Sequence, residues 1–158
     1  FQNQKAREIE PAVITHKINH GMTLYYARRY EEAIIYFKKL IEDDKNLSYA
    51  YFWMWLLSDL QDNEPQAFEW FIKYQTQIKT APGKIAIYQN SYQKSGWKGI
   101  LEELIKDDEK RLKTENYTGL LYEIACFQAR LGNKDKAFEY LEKAFDERVS
   151  SLPMIKVD

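Results

Sequence analysis

The chain has 158 residues, and its 23 Lys+Arg against 24 Asp+Glu leave a formal net charge of −1, which gives no basic patch for counterion release and so no nucleic-acid partner. Apolar residues make up 45%, with 12 Tyr, 8 Phe and 4 Trp, a composition that excludes disorder and supplies core for one domain. The longest apolar run, residues 49–57, is about half of a bilayer span, so no membrane insertion is expected.

Residues 1–10 are polar and read as a linker or the end of a preceding helix. Residues 11–147 read as one helical-repeat domain, and 148–158 as a tail containing Pro153 that packs on the last helix. Pro11 suits a first helical turn, where a missing amide hydrogen costs little. A helix is expected over 12–28, with Val13, Ile14, Ile18, Met22, Leu24 and Tyr25 spread over a broad apolar surface. Residues 30–43 form a cleaner amphipathic helix, with Ala33, Ile34, Phe37, Leu40 and Ile41 on one stripe. Residues 48–61 are apolar nearly all round, which predicts burial between neighbours on both sides.

Asp62-Asn63-Glu64-Pro65 supplies a turn, a cap and a first-turn proline for a helix over 66–78. Thr80-Ala81-Pro82-Gly83 is the strongest break, read as an inter-repeat loop because the helical pattern resumes at once. Helices over 84–94 and 97–112 follow, joined at Ser95-Gly96. Within the second, Asp107-Asp108-Glu109-Lys110-Arg111 reads as a solvated outer face. Helices over 118–131 and 134–145, joined at Gly132-Asn133, complete the chain.

One phrase recurs. Ala33-x3-Phe37 returns as Ala67-x3-Phe71 at a spacing of 34 (33 to 67, 37 to 71) and again as Ala137-x3-Leu141. That period and pattern mark helix-turn-helix solenoid repeats. The chain here resembles the tetratricopeptide repeat family over about residues 12–145. The resemblance implies an all-α, right-handed α-solenoid of about four antiparallel helix pairs. It also implies small residues where paired helices touch: Gly21 with Ala33, Ala125 with Ala137, and Ala144 at the inter-repeat bend. Phe37, Phe71 and Leu141 would fill the seam to the next helix. Repeat two offers Met54 or Trp55 at its small position, depending on whether the turn holds an extra residue. Repeat three has Tyr88 and Ile100 there, which predicts a wider contact.

A second resemblance lies in Ser95-Gly96-Trp97-Lys98-Gly99-Ile100, the stretch 131–144 and the closing Ile155-Lys156-Val157-Asp158. These look like the C-terminal repeat region of bacterial signalling proteins, in which such repeats follow a winged-helix, cyclase-like or kinase-like domain. The implied whole is a larger bacterial signalling protein with an output domain ahead of Phe1.

Little in the sequence points to catalysis. His16 and His20 share a helix face, but Lys17 stands where a zinc-protease motif needs Glu, and no further ligand lies at suitable spacing. Cys126 is the single cysteine, sits in an apolar stretch and has no histidine near it. No catalytic residue, metal or cofactor is expected, and a non-enzymatic interaction module follows. In the resembled family the first helix of each pair lines the groove that takes partner peptides. By position this assigns Ile18, Met22, Tyr25 and Tyr26; then Tyr49, Phe52 and Leu56; then Ile85, Gln89, Tyr92 and Gln93; and Tyr122, Cys126 and Arg130. Ile18 and Met22 occupy the places of the carboxylate clamp in chaperone-binding members, so that activity is not implied. The expected partner is a protein or peptide, with a homodimer or a small-ligand-sensing regulatory role as alternatives.

Overall fold

The computed structural model describes residues 2–115 and 117–156, with side chains described from Ile14 onward. The helices are α1 (Gln2–Tyr26), α2 (Tyr30–Asp43), α3 (Ser48–Leu60), α4 (Glu64–Gln77), α5 (Pro82–Thr114), α6 (Leu120–Arg130) and α7 (Lys134–Asp146). A 3₁₀ turn, η1 (Leu152–Lys156), follows. The described residues contain no strand, so the fold is all-α. Helix α1 begins at Gln2, which places Pro11 inside it and not at its first turn. The chain divides into two compact units at the Ala81/Pro82 break, residues 1–81 and 82–158.

In the first unit four helices alternate in direction. Gly21 faces Phe37 so closely that a Cβ there would lie 2.7 and 2.8 Å from two ring carbons. The missing Cβ is what lets α2 approach α1. Phe37 has no exposure, and its ring stacks on Trp53 of α3 with centroids 5.9 Å apart. At the opposite ends of α2 and α3, the Gln61 side-chain amide donates to Glu31 at 2.5 Å. Helices α1 and α3 therefore both run antiparallel to α2, and Tyr25 meets Trp53 at 5.1 Å. Helix α4 returns along α3 through Trp55–Phe71 and Phe52–Tyr74 ring contacts at 5.9 and 5.6 Å. Ala33 and Ala67 have no exposure, and each fully buried Phe contributes about 1.5–3 kcal/mol.

The turns settle the register of the second pair. α1–α2, α3–α4 and α6–α7 are each closed by a residue in left-handed conformation, Arg28 (φ 59), Asp62 (φ 55) and Gly132 (φ 76). In each, the next amide donates five residues back: Arg29 to Leu24, Asn63 to Ser58 and Asn133 to Gln128, all at 2.9 Å. This double-bonded end satisfies carbonyls that the helix leaves open. Arg28, Asp62 and Gly132 stand equally far before Ala33, Ala67 and Ala137, so the second turn holds no extra residue. Trp55, and not Met54, occupies the small-residue position. The Asn63 side chain caps α4 by accepting from the Gln66 amide at 3.4 Å.

In the second unit α5 is two helical arms. Gly96 breaks it with φ 60 and ψ −150, a conformation open to glycine alone. The arms fold back on each other, because a Cβ on Gly99 would lie 2.5 Å from the Ser91 carbonyl oxygen. The contact expected to be wide is close beside the turn, made so by Gly99 and not by the residues at the repeat's small positions. Farther out, the Tyr88 hydroxyl donates to Asp107 at 2.7 Å and the Lys84 ammonium meets the same carboxylate at 2.6 Å. Helices α6 and α7 pack with Ala125 and Ala137 buried. Leu121, Tyr122, Ala144 and Val149 form a core against which Leu112, Cys126, Leu141, Leu152 and Met154 pack. The η1 turn thereby lies on the last helix pair.

Candidate functional site

The first-helix positions assigned to a groove fall into two groups. Ile18, Tyr25 and Tyr122 are core side chains with 8%, 1% and 4% exposure, and cannot present themselves to a partner without local unfolding. Tyr25 is enclosed by Tyr26, Tyr30 and Trp53 at ring distances of 5.6, 5.8 and 5.1 Å. Tyr122 belongs to the α6–α7 core, with Cys126 packed beside it.

The second group reaches solvent. Tyr26 is 38% and Tyr49 64% exposed, Arg130 is exposed, and Met22, Phe52, Leu56 and Tyr92 are half-buried. Phe52 is wedged edge-on among Trp53, Trp55 and Tyr74 at 5.5–5.6 Å, so it is anchored while keeping part of its ring accessible. Because α1 and α3 run in the same direction and touch at Tyr25–Trp53, one turn back along both brings Met22 and Tyr49 to one level. The first unit thus carries an apolar and aromatic face on α1 and α3. The positions that compose it (Met22, Tyr26, Tyr49, Phe52 and Leu56) bear no charge. Tyr92, Tyr122 and Arg130 lie in the second unit.

Charge collects instead in the second unit. The Asp108 carboxyl is 6% exposed and 3.2 Å from the Arg111 guanidinium. Desolvation outweighs that pairing and pushes its pKa up to about 6. Arg111 is shared, its guanidinium also donating to Glu115 at 3.1 Å. Glu123 on α6 is pushed up to about 7, chiefly by desolvation and then by Asp108. The Glu123 residue as a whole is solvent-exposed, so water screens its charge. Asp108 departs from the sequence expectation of a solvated face, because it shares a side of α5 with the buried Leu101 and Ile105.

A family model for the tetratricopeptide repeat matches residues 17–47 and 118–148, the stretches built by α1–α2 and α6–α7. Those two stretches are tetratricopeptide repeats. Neither a curated protein nor a solved structure matches it. Tetratricopeptide repeats generally mediate protein–protein interaction. The two matched stretches have small residues at the paired positions, Gly21 with Ala33 and Ala125 with Ala137. The pair α3–α4 keeps the repeat spacing but has the bulky Trp55 there, and lies outside the matched stretches.

Among the described residues no group of three or more His, Cys, Asp or Glu gathers in a metal-holding arrangement, and no helix is long and apolar enough to cross a membrane. His16 and His20 are both exposed, and the His20 ring packs edge-on to Tyr36 at 4.7 Å. A shallow cleft of about 300 Å³ is lined by Ile41, Tyr51, Trp70, Lys73 and Thr76. Its one cation is engaged, since the Lys73 ammonium lies 4.2 Å over the Trp70 ring and 2.6 Å from Glu69.

Sequence reasoning missed two polar groups that fix the helix ends. The Gln75 and Gln128 side chains are buried at 7% and 4% exposure. Gln75 accepts from the Thr80 hydroxyl at 2.6 Å, and Gln128 from the Asn133 side-chain amide at 2.9 Å. In both the partner stands five residues on, where the backbone amide also returns to the same residue's carbonyl. A glutamine five residues before Thr or Asn at a helix end was the available signal.

Proposed function

We infer that this chain is a non-enzymatic protein-interaction module, and that the face formed by Met22, Tyr26, Tyr49, Phe52 and Leu56 takes the partner. The observation that carries this reading is the exposure of Tyr26 and Tyr49 on first helices of repeats that generally bind proteins. Rigid tyrosines supply contact area at low entropic cost, and anchored aromatics dominate interface energetics. An uncharged lining suits an apolar peptide or the apolar stripe of a helix. The resemblance of the C-terminal half to repeat regions of bacterial signalling proteins supports a place in a larger regulatory protein. Affinity capture with the wild type and a Tyr26→Ala/Tyr49→Ala variant tests this reading. Both side chains reach solvent, so the fold survives; the variant loses specific partners, and an identical partner set removes this face from the account. Self-association is a second reading, favoured by Phe138 and Phe145, which lie 65% and 73% exposed on α7.

A further inference from the structure

Helix α5 meets the last helix pair along a stripe with a carboxyl in it. Leu101, Ile105, Asp108 and Leu112 follow at spacings of four, three and four residues, so they share one side of the helix. Leu101 and Ile105 are buried, and Leu112 packs on the core that α6 and α7 build around Leu121, Tyr122 and Ala144. One residue beyond Asp108, Glu109 accepts from the Tyr140 hydroxyl of α7 at 2.8 Å and ties α5 to the same pair. Asp108 therefore lies in the seam between α5 and that pair, at 6% exposure.

The charges around Asp108 leave its ionised form poorly matched. On α5 the Arg111 guanidinium reaches it at 3.2 Å but also donates to Glu115 from Nε and Nη2, each at 3.1 Å. The other arm of α5 brings Lys84 and Tyr88, and both are taken by Asp107, at 2.6 and 2.7 Å. From α6 comes Glu123, a like charge whose own carboxyl is pushed up by desolvation and then by Asp108. From α7 comes Tyr140, whose hydroxyl is on Glu109. Ionised Asp108 thus has a shared guanidinium for a partner and three carboxylates, Asp107, Glu115 and Glu123, for neighbours. Protonated, it is a neutral group in an apolar seam.

We propose that this seam is a proton-operated latch, closed while Asp108 is protonated, and that ionisation of Asp108 raises the population in which α6–α7 opens away from α5. Opening exposes Tyr122, a first-helix side chain that the closed pair holds at 4% exposure. The sign follows from burial. Desolvation, opposed by Arg111, raises the native carboxyl to about 6, against about 4 in an opened chain. The stabilisation is complete below about pH 4 and is lost as pH rises through about 6.

Hydrogen exchange of the full chain at pH 5 and pH 8, corrected for the intrinsic pH dependence of the chemical step, tests the proposal. The expected result is that protection of the α6 and α7 amides falls by roughly tenfold from pH 5 to pH 8, while that of α2, α3 and α4 holds. Asp108→Asn, neutral and of the same shape, abolishes the step and keeps protection high at pH 8. Glu115→Gln, at an exposed site that leaves folding intact, releases Arg111 to Asp108 and shrinks the step, which a purely structural role for Asp108 would not produce. Protection in α6 and α7 that ignores pH, or a fall shared equally by α2, α3 and α4, overturns the latch. A step that survives in Asp108→Asn, or that keeps its full size in Glu115→Gln, overturns it as well.

Discussion

Gly21→Ala probes the helix contact on which the repeat is built. An added Cβ would sit 2.7 and 2.8 Å from two carbons of the Phe37 ring, with the ring's outermost carbon closer still. Carbon pairs rest at about 3.5–4.0 Å, so the ring must move by about 1 Å. It has nowhere to go, having no exposure and lying parallel to Trp53 at 5.9 Å. Overpacking of this kind costs about 1–3 kcal/mol. The same substitution gains about 0.8–1 kcal/mol in helix propensity, so the net expectation is a loss of up to about 2 kcal/mol. Chemical denaturation measures it, with two controls. Gly83→Ala meets nothing within 4 Å and should stabilise by about 0.4–1 kcal/mol. In a Phe37→Leu background the clash is relieved, and Gly21→Ala should turn neutral or stabilising, giving a coupling above about 1 kcal/mol. A stabilising effect of Gly21→Ala in the wild type, or strict additivity in the cycle, would refute the close approach.

Two further perturbations test the second unit and the helix ends. The Asp108 carboxyl has a higher pKa folded (about 6) than unfolded, so the native state holds a proton that the unfolded chain loses from about pH 4. Stability therefore falls as pH rises through about 4 to 6 and stays low above. Asp108→Asn should stabilise by about 1–3 kcal/mol at pH 8, with the gain fading toward pH 4; urea melts at the two pH values check it, and a pH-independent effect would contradict it. Lys79 ends α4 with φ 59, while the following amide bonds back to Gln75 at 3.0 Å. Gly132 fills the equivalent place after α6, so Lys79→Gly should raise stability by about 0.5–1 kcal/mol in the same melts, whereas Lys79→Ala should not.

The scaffold was legible because it repeats. Ala33, Phe37, Ala67 and Phe71 stand at one period and prove to be among the most buried side chains. The groove was less so. Helical spacing places Tyr25 and Tyr26 on neighbouring directions of one helix, and only the position of Trp53 shows that the first is enclosed and the second reaches solvent. Tyr122 was drawn inward in the same way by the α6–α7 core. Trp55 at a small-residue position left two registers open, which the left-handed residue at Asp62 closes. Asp108 sits in a run of charges that composition reads as solvated, yet a rotation of about 100° per residue turns it toward Leu101 and Ile105. Phe138 and Phe145 of α7 share their sequence pattern with buried stripes, so their exposure depends on which helices surround them.

The most direct test of a protein-binding face is site-specific photocrosslinking. A photoreactive residue replaces Tyr49 on α3, and in a control it replaces Ile35, which is 69% exposed on α2 outside the proposed face. Discrete protein adducts that form from position 49, not from position 35, and that Tyr26→Ala diminishes are the expected result. Equal labelling from both positions, or none from position 49, would contradict it.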